Sequence, residues 1–126
     1  MAKQIKASKE KVTVLLTGPA TNFVAALEKD PSIKDNIEEV VWMAGAVDVG
    51  GNVVQYHHDT SAEWNVYWDP VSGKKLFESG LNVTIFSLDS TNTVPVKIDF
   101  LKKITKQKEY VLSDLVGQLY AISFFQ

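Results

Sequence analysis

Asn52, Glu63 and Asn65 lie within fourteen residues of one another, in a stretch that carries most of the chain's candidate chemistry. Two carboxamides and a carboxylate suit a polyhydroxylated ligand, because each hydroxyl both donates and accepts a hydrogen bond. On pattern alone a plainer account is favoured: Asn52 turns the chain, Glu63 is solvated and Asn65 caps a backbone group. His57, His58 and Asp59 lie in the same stretch. Adjacent histidines in a strand point to opposite faces, and loop histidines are more often solvated than metal-bound. They are therefore read as loop residues, with a metal site as the minor alternative. The chain has no cysteine, which excludes a thiolate nucleophile, a disulfide framework and a Cys-ligated metal.

The elements that must hold these groups can be read from the pattern. Residues 2–9 suit a helix. Val12 to Thr17 is β-branched and apolar and stops at Gly18-Pro19, so it predicts a buried strand. Phe23, Val24 and Leu27 give residues 20–29 a helical stripe that ends at Asp30-Pro31, and 32–37 predicts a short further turn. Val40 to Met43 predicts a second strand, followed by a long loop from Ala44 to Thr60 punctuated by Gly45, Gly50 and Gly51. Long irregular loops inside compact domains are usually functional or disordered. A helix from Asp69-Pro70 to about Ser79, a strand over 82–86 and a polar turn over 89–93 follow. Ile98, Leu101 and Ile104 stripe one helix, and Val111, Leu112, Leu115, Val116, Leu119 and Ile122 stripe a last helix read as core.

Alternating strands and helices predict an α/β fold: three layers, with a mostly parallel sheet flanked by helices and strands covered on both faces. Ligands of such sheets bind beyond the carboxyl ends of the strands. Three segments occupy those positions: 17–22, 43–65 and 88–91.

Bulk properties narrow the function classes. The 126 residues are 45% hydrophobic and 22% charged, the balance of one globular domain. Thirteen Lys and Arg against fifteen Asp and Glu leave a net charge of −2. That lacks the electrostatic footprint of a nucleic-acid binder or of a protein held to an anionic membrane. Residues 1–10 have no secretion-type apolar segment and no apolar run is long enough to span a bilayer, so a cytoplasmic location is expected. The Asn82-Val83-Thr84 sequon is discounted because it falls in a predicted buried strand.

Four segments, in order, resemble the inosine–uridine type nucleoside hydrolases. Thr17-Gly18-Pro19-Ala20-Thr21-Asn22 is similar to their T/L-G-P-L-T-N segment, and Met43 to Asn52 to their M-G-G-A-x-x-x-x-G-N stretch. Ala62-Glu63-Trp64-Asn65-Val66-Tyr67-Trp68-Asp69-Pro70 resembles A-E-F/W-N-I-x-x-D-P, and Leu88-Asp89-Ser90-Thr91 resembles L-D-x-T. The resemblance implies a parallel α/β fold and hydrolysis of the N-glycosidic bond of ribonucleosides to ribose and free base. It implies Ca²⁺ as cofactor, holding the attacking water. Carried over residue by residue, Thr17 gives its backbone carbonyl to the calcium, Asn52 and Glu63 hold the ribose 5′-hydroxyl, Asn65 holds a ring-side hydroxyl, and Met43 lines the ribose pocket. No catalytic residue carries over.

The departures from the family pattern set the remaining expectations. The family's Asp-rich D-x-D-x-G-x-D-D strand end and its later calcium Asp have no counterpart here. Ala44 replaces Gly, Ala20 replaces Leu, and Val71-Ser72-Gly73 stands where the family has E-A-A. The segment between Asn52 and Glu63 is longer, adding Tyr56, His57 and His58. Residues 1–126 are therefore expected to form a single partial domain, a fragmentary hydrolase inactive alone. The alternative is a non-catalytic ribose-binding or interaction protein. Trp42, Trp64, Trp68, Phe124 and Phe125 are many large apolar groups for a partial core, so a homo-oligomer or a complementing chain is expected as partner.

Overall fold

The computed structural model describes every residue except Tyr56, Lys108, Val111, Phe125 and Gln126, and the side chains of Ser123 and Phe124. The described residues gather into two compact units, Met1–Asn92 and Thr93–Gln126.

The first unit is a parallel sheet flanked by helices. Its elements run α1 (Ala2–Ala7), β1 (Val12–Leu16), α2 (Thr21–Lys29), a 3-10 turn (Pro31–Asn36), β2 (Ile37–Met43), α3 (Trp64–Tyr67), α4 (Pro70–Phe77), β3 (Val83–Phe86) and α5 (Leu88–Thr91). The strands pair in the order β1-β2-β3, all parallel. The polar turn expected over 89–93 begins as the short helix α5. A register shift between Val12 and Thr13 skips Glu38, pairing Val12 with Ile37 and Thr13 with Glu39. Such a bulge changes which side later residues face, and it brings Ile37 onto the same buried side as Val40 and Trp42.

Trp42 is the centre of that side. It is fully buried, its indole N–H donates to the Gly18 carbonyl at 2.9 Å, and its ring lies 6.0 Å from that of Phe77. Phe23, Val24, Leu27, Ile33, Val40 and Leu76 pack in the same cluster. Gly73 lets α4 approach this ring: a Cβ there would stand 3.2 Å from the indole Cη2. A glycine inside a helix costs about 1 kcal/mol against alanine, and the Trp42 contact is the physical reason for it. The departure from E-A-A at residues 71–73 thus matches the large side chain beneath it.

The other face of the sheet departs from the expected burial. Leu15, Val41 and Thr84 are in register on it, with Met43 and Phe86 one step on. Leu15 is 68% exposed and Phe86 is 49% exposed. An apolar run marks a strand but does not say how many of its faces have neighbours, so the two-sided burial expected of β1 and β3 is corrected here.

The second unit is a pair of helices, α6 (Ile98–Lys106) and α7 (Ser113–Phe124). Phe100 meets Tyr120 edge-on at 5.4 Å, and a Cβ on Gly117 would touch the methyl of Thr105 at 3.6 Å. Within this unit the stripe read as core is not buried: Leu112, Leu115, Leu119 and Ile122 are all more than half exposed. Val111, part of that stripe, lies outside the described residues. Among the described residues no helix is long and apolar enough to cross a membrane.

The contrast between the two sheet faces is measurable. Trp42→Ala should cost about 3–5 kcal/mol by urea denaturation, whereas Leu15→Ala should change stability by no more than about 0.5 kcal/mol. Equal losses would contradict the one-sided core.

Candidate functional site

The carboxyl ends of β1 and β2 and the start of α3 come together around one buried carboxylate. Glu63 is 3% exposed. Its Oε1 accepts from the Asn65 backbone N–H at 3.0 Å, and its Oε2 accepts from Gly45 at 3.0 Å and Val66 at 3.3 Å. A buried charge is tolerated only when hydrogen-bonded, and these three amides supply that. Two of them are the orphan donors at the start of α3, so Glu63 serves as its N-cap. The third ties α3 to the residues just beyond β2. Gly45 has φ +79°, a left-handed conformation open to glycine, and its carbonyl accepts from Leu88 N–H at 2.9 Å. One residue thus joins β2, α3 and α5.

The two carboxamides flank this carboxylate. Asn52 Oδ1 accepts from the Trp64 backbone N–H at 3.0 Å. Asn65 Nδ2 donates to the Met43 carbonyl at 2.9 Å and approaches the Met43 sulfur at 3.3 Å. These partners set both amide orientations, since an N–H can only donate and a carbonyl can only accept. Asn52 Nδ2 and Asn65 Oδ1 remain without a hydrogen bond to any described residue. A donor and an acceptor are therefore left beside the end of β2. Thr17 follows Leu16, which is paired with Trp42, so Thr17 and Met43 leave neighbouring strand ends one residue later. Asn65 does bond a backbone group, and Glu63 is buried rather than solvated.

The added loop is closed by its own backbone. Gly51 N–H donates to Thr60 O at 2.7 Å, and Asn52 and Val53 N–H both donate to Ala62 O, at 3.0 and 3.1 Å. Gly51 packs so tightly that a Cβ would stand 2.1 Å from the Ala62 carbonyl oxygen. Val53 is fully buried. His57 and Thr60 have positive φ, 57° and 64°, and a β-branched residue there carries strain. His58 packs edge-on against Tyr67 at 5.1 Å, with Nδ1 3.2 Å from Asp59 Oδ1. Tyr56 lies outside the described residues.

Two further carboxylates, Asp89 and Asp69, hold this region in place. Asp89 accepts from Val47 N–H at 3.0 Å, Asp48 N–H at 2.8 Å and Ser87 Oγ at 2.7 Å. These bonds, Val47's first, hold its pKa down at about 2. Asp69 caps α4 through Ser72 N–H at 2.9 Å and accepts from Thr21 Oγ at 2.5 Å; the Thr21 bond first, then Ser72, lowers its pKa to about 2. The Asp69-Pro70 pair was a readable capping signal. Asp89 had only its place in the L-D-x-T turn, because its backbone partners in the loop lie more than 40 residues earlier.

Comparison with known proteins decides what this arrangement belongs to. The profile of the family described as "Inosine-uridine preferring nucleoside hydrolase" matches residues 1–126. The chain belongs to the inosine-uridine preferring nucleoside hydrolase family. It is similar to a nucleoside hydrolase from Bacillus anthracis of that description: 38% identity, TM-score 0.82, 97% of this chain and 40% of that one. A purine-preferring ribonucleoside hydrolase from Gardnerella vaginalis matches at 31% identity and TM-score 0.73, over 92% of this chain and 35% of that one. The pyrimidine-specific ribonucleoside hydrolase RihA of Shewanella woodyi is 35% identical over 104 residues, 82% of this chain and 31% of that protein. The chain thus spans about a third of the length of the curated relatives it matches. Family membership accounts for the order of the four segments.

A calcium ion, the cofactor implied by the resemblance, does not fit the donors described here. Ca²⁺ takes six to eight oxygen ligands, and among the described residues no three His, Asp or Glu side chains are grouped to hold a metal. The nearby carboxylates of Glu63 and Asp89 are already committed to backbone amides.

Two outcomes test this framework. Asp89 and Asp69 have depressed folded-state pKa values, so their contribution is complete above about pH 4 and fades as pH falls towards 2. Acid titration of Asp89→Asn, followed by circular dichroism, should therefore show a shallower loss of stability between pH 4 and 2 than the parent chain. Gly51→Ala should displace the loop from Ala62, seen as large amide shifts at Asn52, Val53 and Trp64 in NMR spectra. Unchanged shifts there would remove the close approach.

Proposed function

We propose that this chain carries the ribose-facing part of a nucleoside hydrolase. Such an enzyme uses water to cleave the N-glycosidic bond, placing hydroxide on the anomeric carbon and a proton on the departing base. The observation that carries the reading is the pair of amide groups left open beside the end of β2. Asn52 Nδ2 donates to the ribose 5′-oxygen. Asn65 Oδ1 accepts from a ring-side hydroxyl. Glu63 adds an acceptor for the 5′-hydroxyl, since a carboxylate offers about four lone-pair positions and three backbone bonds leave one. Met43 lines the pocket wall next to Asn65.

These groups act on charge as well as position. When the glycosidic bond loosens, positive charge spreads over the ribose ring, and oriented carbonyl and carboxylate oxygens lower its energy. They need no reorganisation at that moment, because each is already held by backbone amides or carbonyls. Thr17 belongs to the same proposal as one backbone carbonyl that a calcium ion would use, although the described residues supply too few further donors to complete its shell. A cytoplasmic setting and a homo-oligomer or complementing chain complete the proposal.

A non-catalytic ribose-binding role is the second reading. It is favoured by one observation: the carboxylates at the site are engaged by amides, so none stands as a base to activate water.

NMR titration with uridine and inosine tests the site directly. The side-chain amide signals of Asn52 and Asn65 are expected to shift. Asn65→Ala should abolish the response, and 5′-deoxyuridine should spare Asn65 while losing the Asn52 shift. With Ca²⁺ added, the chain alone is expected to release no free base; release would mean that a base exists within residues 1–126. An absent shift with either nucleoside would remove the ribose assignment.

A further inference from the structure

Met43 holds the Asn65 side chain at two points. Asn65 Nδ2 donates to the Met43 backbone carbonyl at 2.9 Å and lies 3.3 Å from the Met43 thioether sulfur. An amide nitrogen carries two hydrogens, so the carbonyl takes one and the sulfur the other. A flipped amide would set Oδ1 against two acceptors, which keeps that oxygen turned away from Met43. All the atoms concerned belong to the first unit. The carbonyl is fixed with the end of β2, but the sulfur can be changed chemically on the folded chain. A thioether is a weak acceptor, whereas its sulfoxide is polar and chiral. Met43 is half-buried, and the chain's other methionine, Met1, is 53% exposed.

We propose that Met43 is an oxidative modification site, and that its conversion to the sulfoxide by a peroxide displaces the Asn65 amide. One oxygen of hydrogen peroxide bonds to the sulfur as the O–O bond breaks, and the other leaves as water with both protons. The sulfur is oxidised by two electrons and the peroxide is reduced by two. Either sulfoxide epimer ends the present contact. Oxygen added on the side of Nδ2 has no room between atoms 3.3 Å apart. Oxygen added on the other side leaves an electron-poor sulfur facing an N–H, which it no longer accepts. In both cases Asn65 keeps one anchor instead of two, and Oδ1 loses its fixed direction. The effect on Asn65 stands on this geometry alone. Its consequence for nucleoside binding rests on the ribose-facing reading above, so the two can fail separately.

Hydrogen peroxide treatment of the intact chain tests it, followed by peptide mass spectrometry and by the side-chain amide signals of Asn65 in NMR spectra. Met43 should gain one oxygen, and the Asn65 Nδ2 proton signals should move while the circular dichroism spectrum is unchanged. Methionine sulfoxide reductases, one for each epimer, should return the signals to their first positions. Met43→Leu is close in volume, keeps the backbone carbonyl bond and retains Met1; in this variant peroxide should leave the Asn65 signals in place. Uridine binding should weaken about three- to tenfold on oxidation, the worth of one hydrogen bond, and recover on reduction. If the untreated chain does not bind uridine, the ribose reading fails while the peroxide-dependent movement of Asn65 still upholds the modification site. Met43 left unoxidised while Met1 is converted, Asn65 signals unmoved in the oxidised chain, the same movement in Met43→Leu, a lost circular dichroism spectrum, or uridine binding undiminished by oxidation would each overturn the proposal.

Discussion

Everything around the site depends on satisfying the buried Glu63 carboxylate. Removing a charge from water costs several kcal/mol, recovered only by hydrogen bonds or opposite charge. Here three backbone amides provide the bonds, and they come from two separate elements: the turn after β2 and the first turn of α3. Satisfying one side chain therefore fixes the relation between a strand end and a helix start. Asn52 and Asn65 inherit their positions from that arrangement. Asn52 bonds the same helix start through Trp64 N–H, and Asn65 is the residue immediately after it.

The sheet solves a second problem of the same kind. Trp42 is large enough to organise a core face alone, but its indole N–H must find an acceptor and its ring must find room. Gly18, in the turn after β1, offers the acceptor, and Gly73 in α4 offers the room. The turn that precedes α2 and the packing of α4 are thus both tied to one side chain of β2. Asp69 links the same two helices at their starts, bonding Thr21 and Ser72. Core packing and capping agree on one placement of α2 against α4.

Much of this was legible in the sequence, and the rest was not, for identifiable reasons. β1, β2 and β3 were readable because β-branched runs ended by Gly-Pro or a polar turn have few other conformations. The helix at 21–29 was readable from its stripe and the Asp30-Pro31 stop, and the helix at 70–77 from its Asp69-Pro70 start. Exposure of Leu15 and Phe86 was not readable, since an apolar run does not reveal which neighbours a strand has. The stripe of α7 shows the same limit: Leu115 and Ile122 have core spacing but are not buried within their own unit. The site residues stood out as residue types, but their partners did not. That Asn52 reaches Trp64, or Asp89 reaches Val47, depends on loop closure over many residues, and no local pattern encodes it.

The polar groups at the strand ends divide their work by chemistry. Carboxylates can only accept, and in this chain Glu63, Asp69 and Asp89 each accept backbone N–H groups that would otherwise be unpaired. Carboxamides have a donor and an acceptor, so one end can be anchored to the fold while the other remains for a ligand. Asn52 is anchored by its oxygen and Asn65 by its nitrogen, which leaves complementary ends open. A sugar hydroxyl needs both kinds of partner, and two oppositely anchored amides supply both without either side chain turning. An aspartate at either position would keep the shape and remove that complementarity. Asn52→Asp loses the open donor, and Asn65→Asp sets a carboxylate oxygen against the Met43 carbonyl.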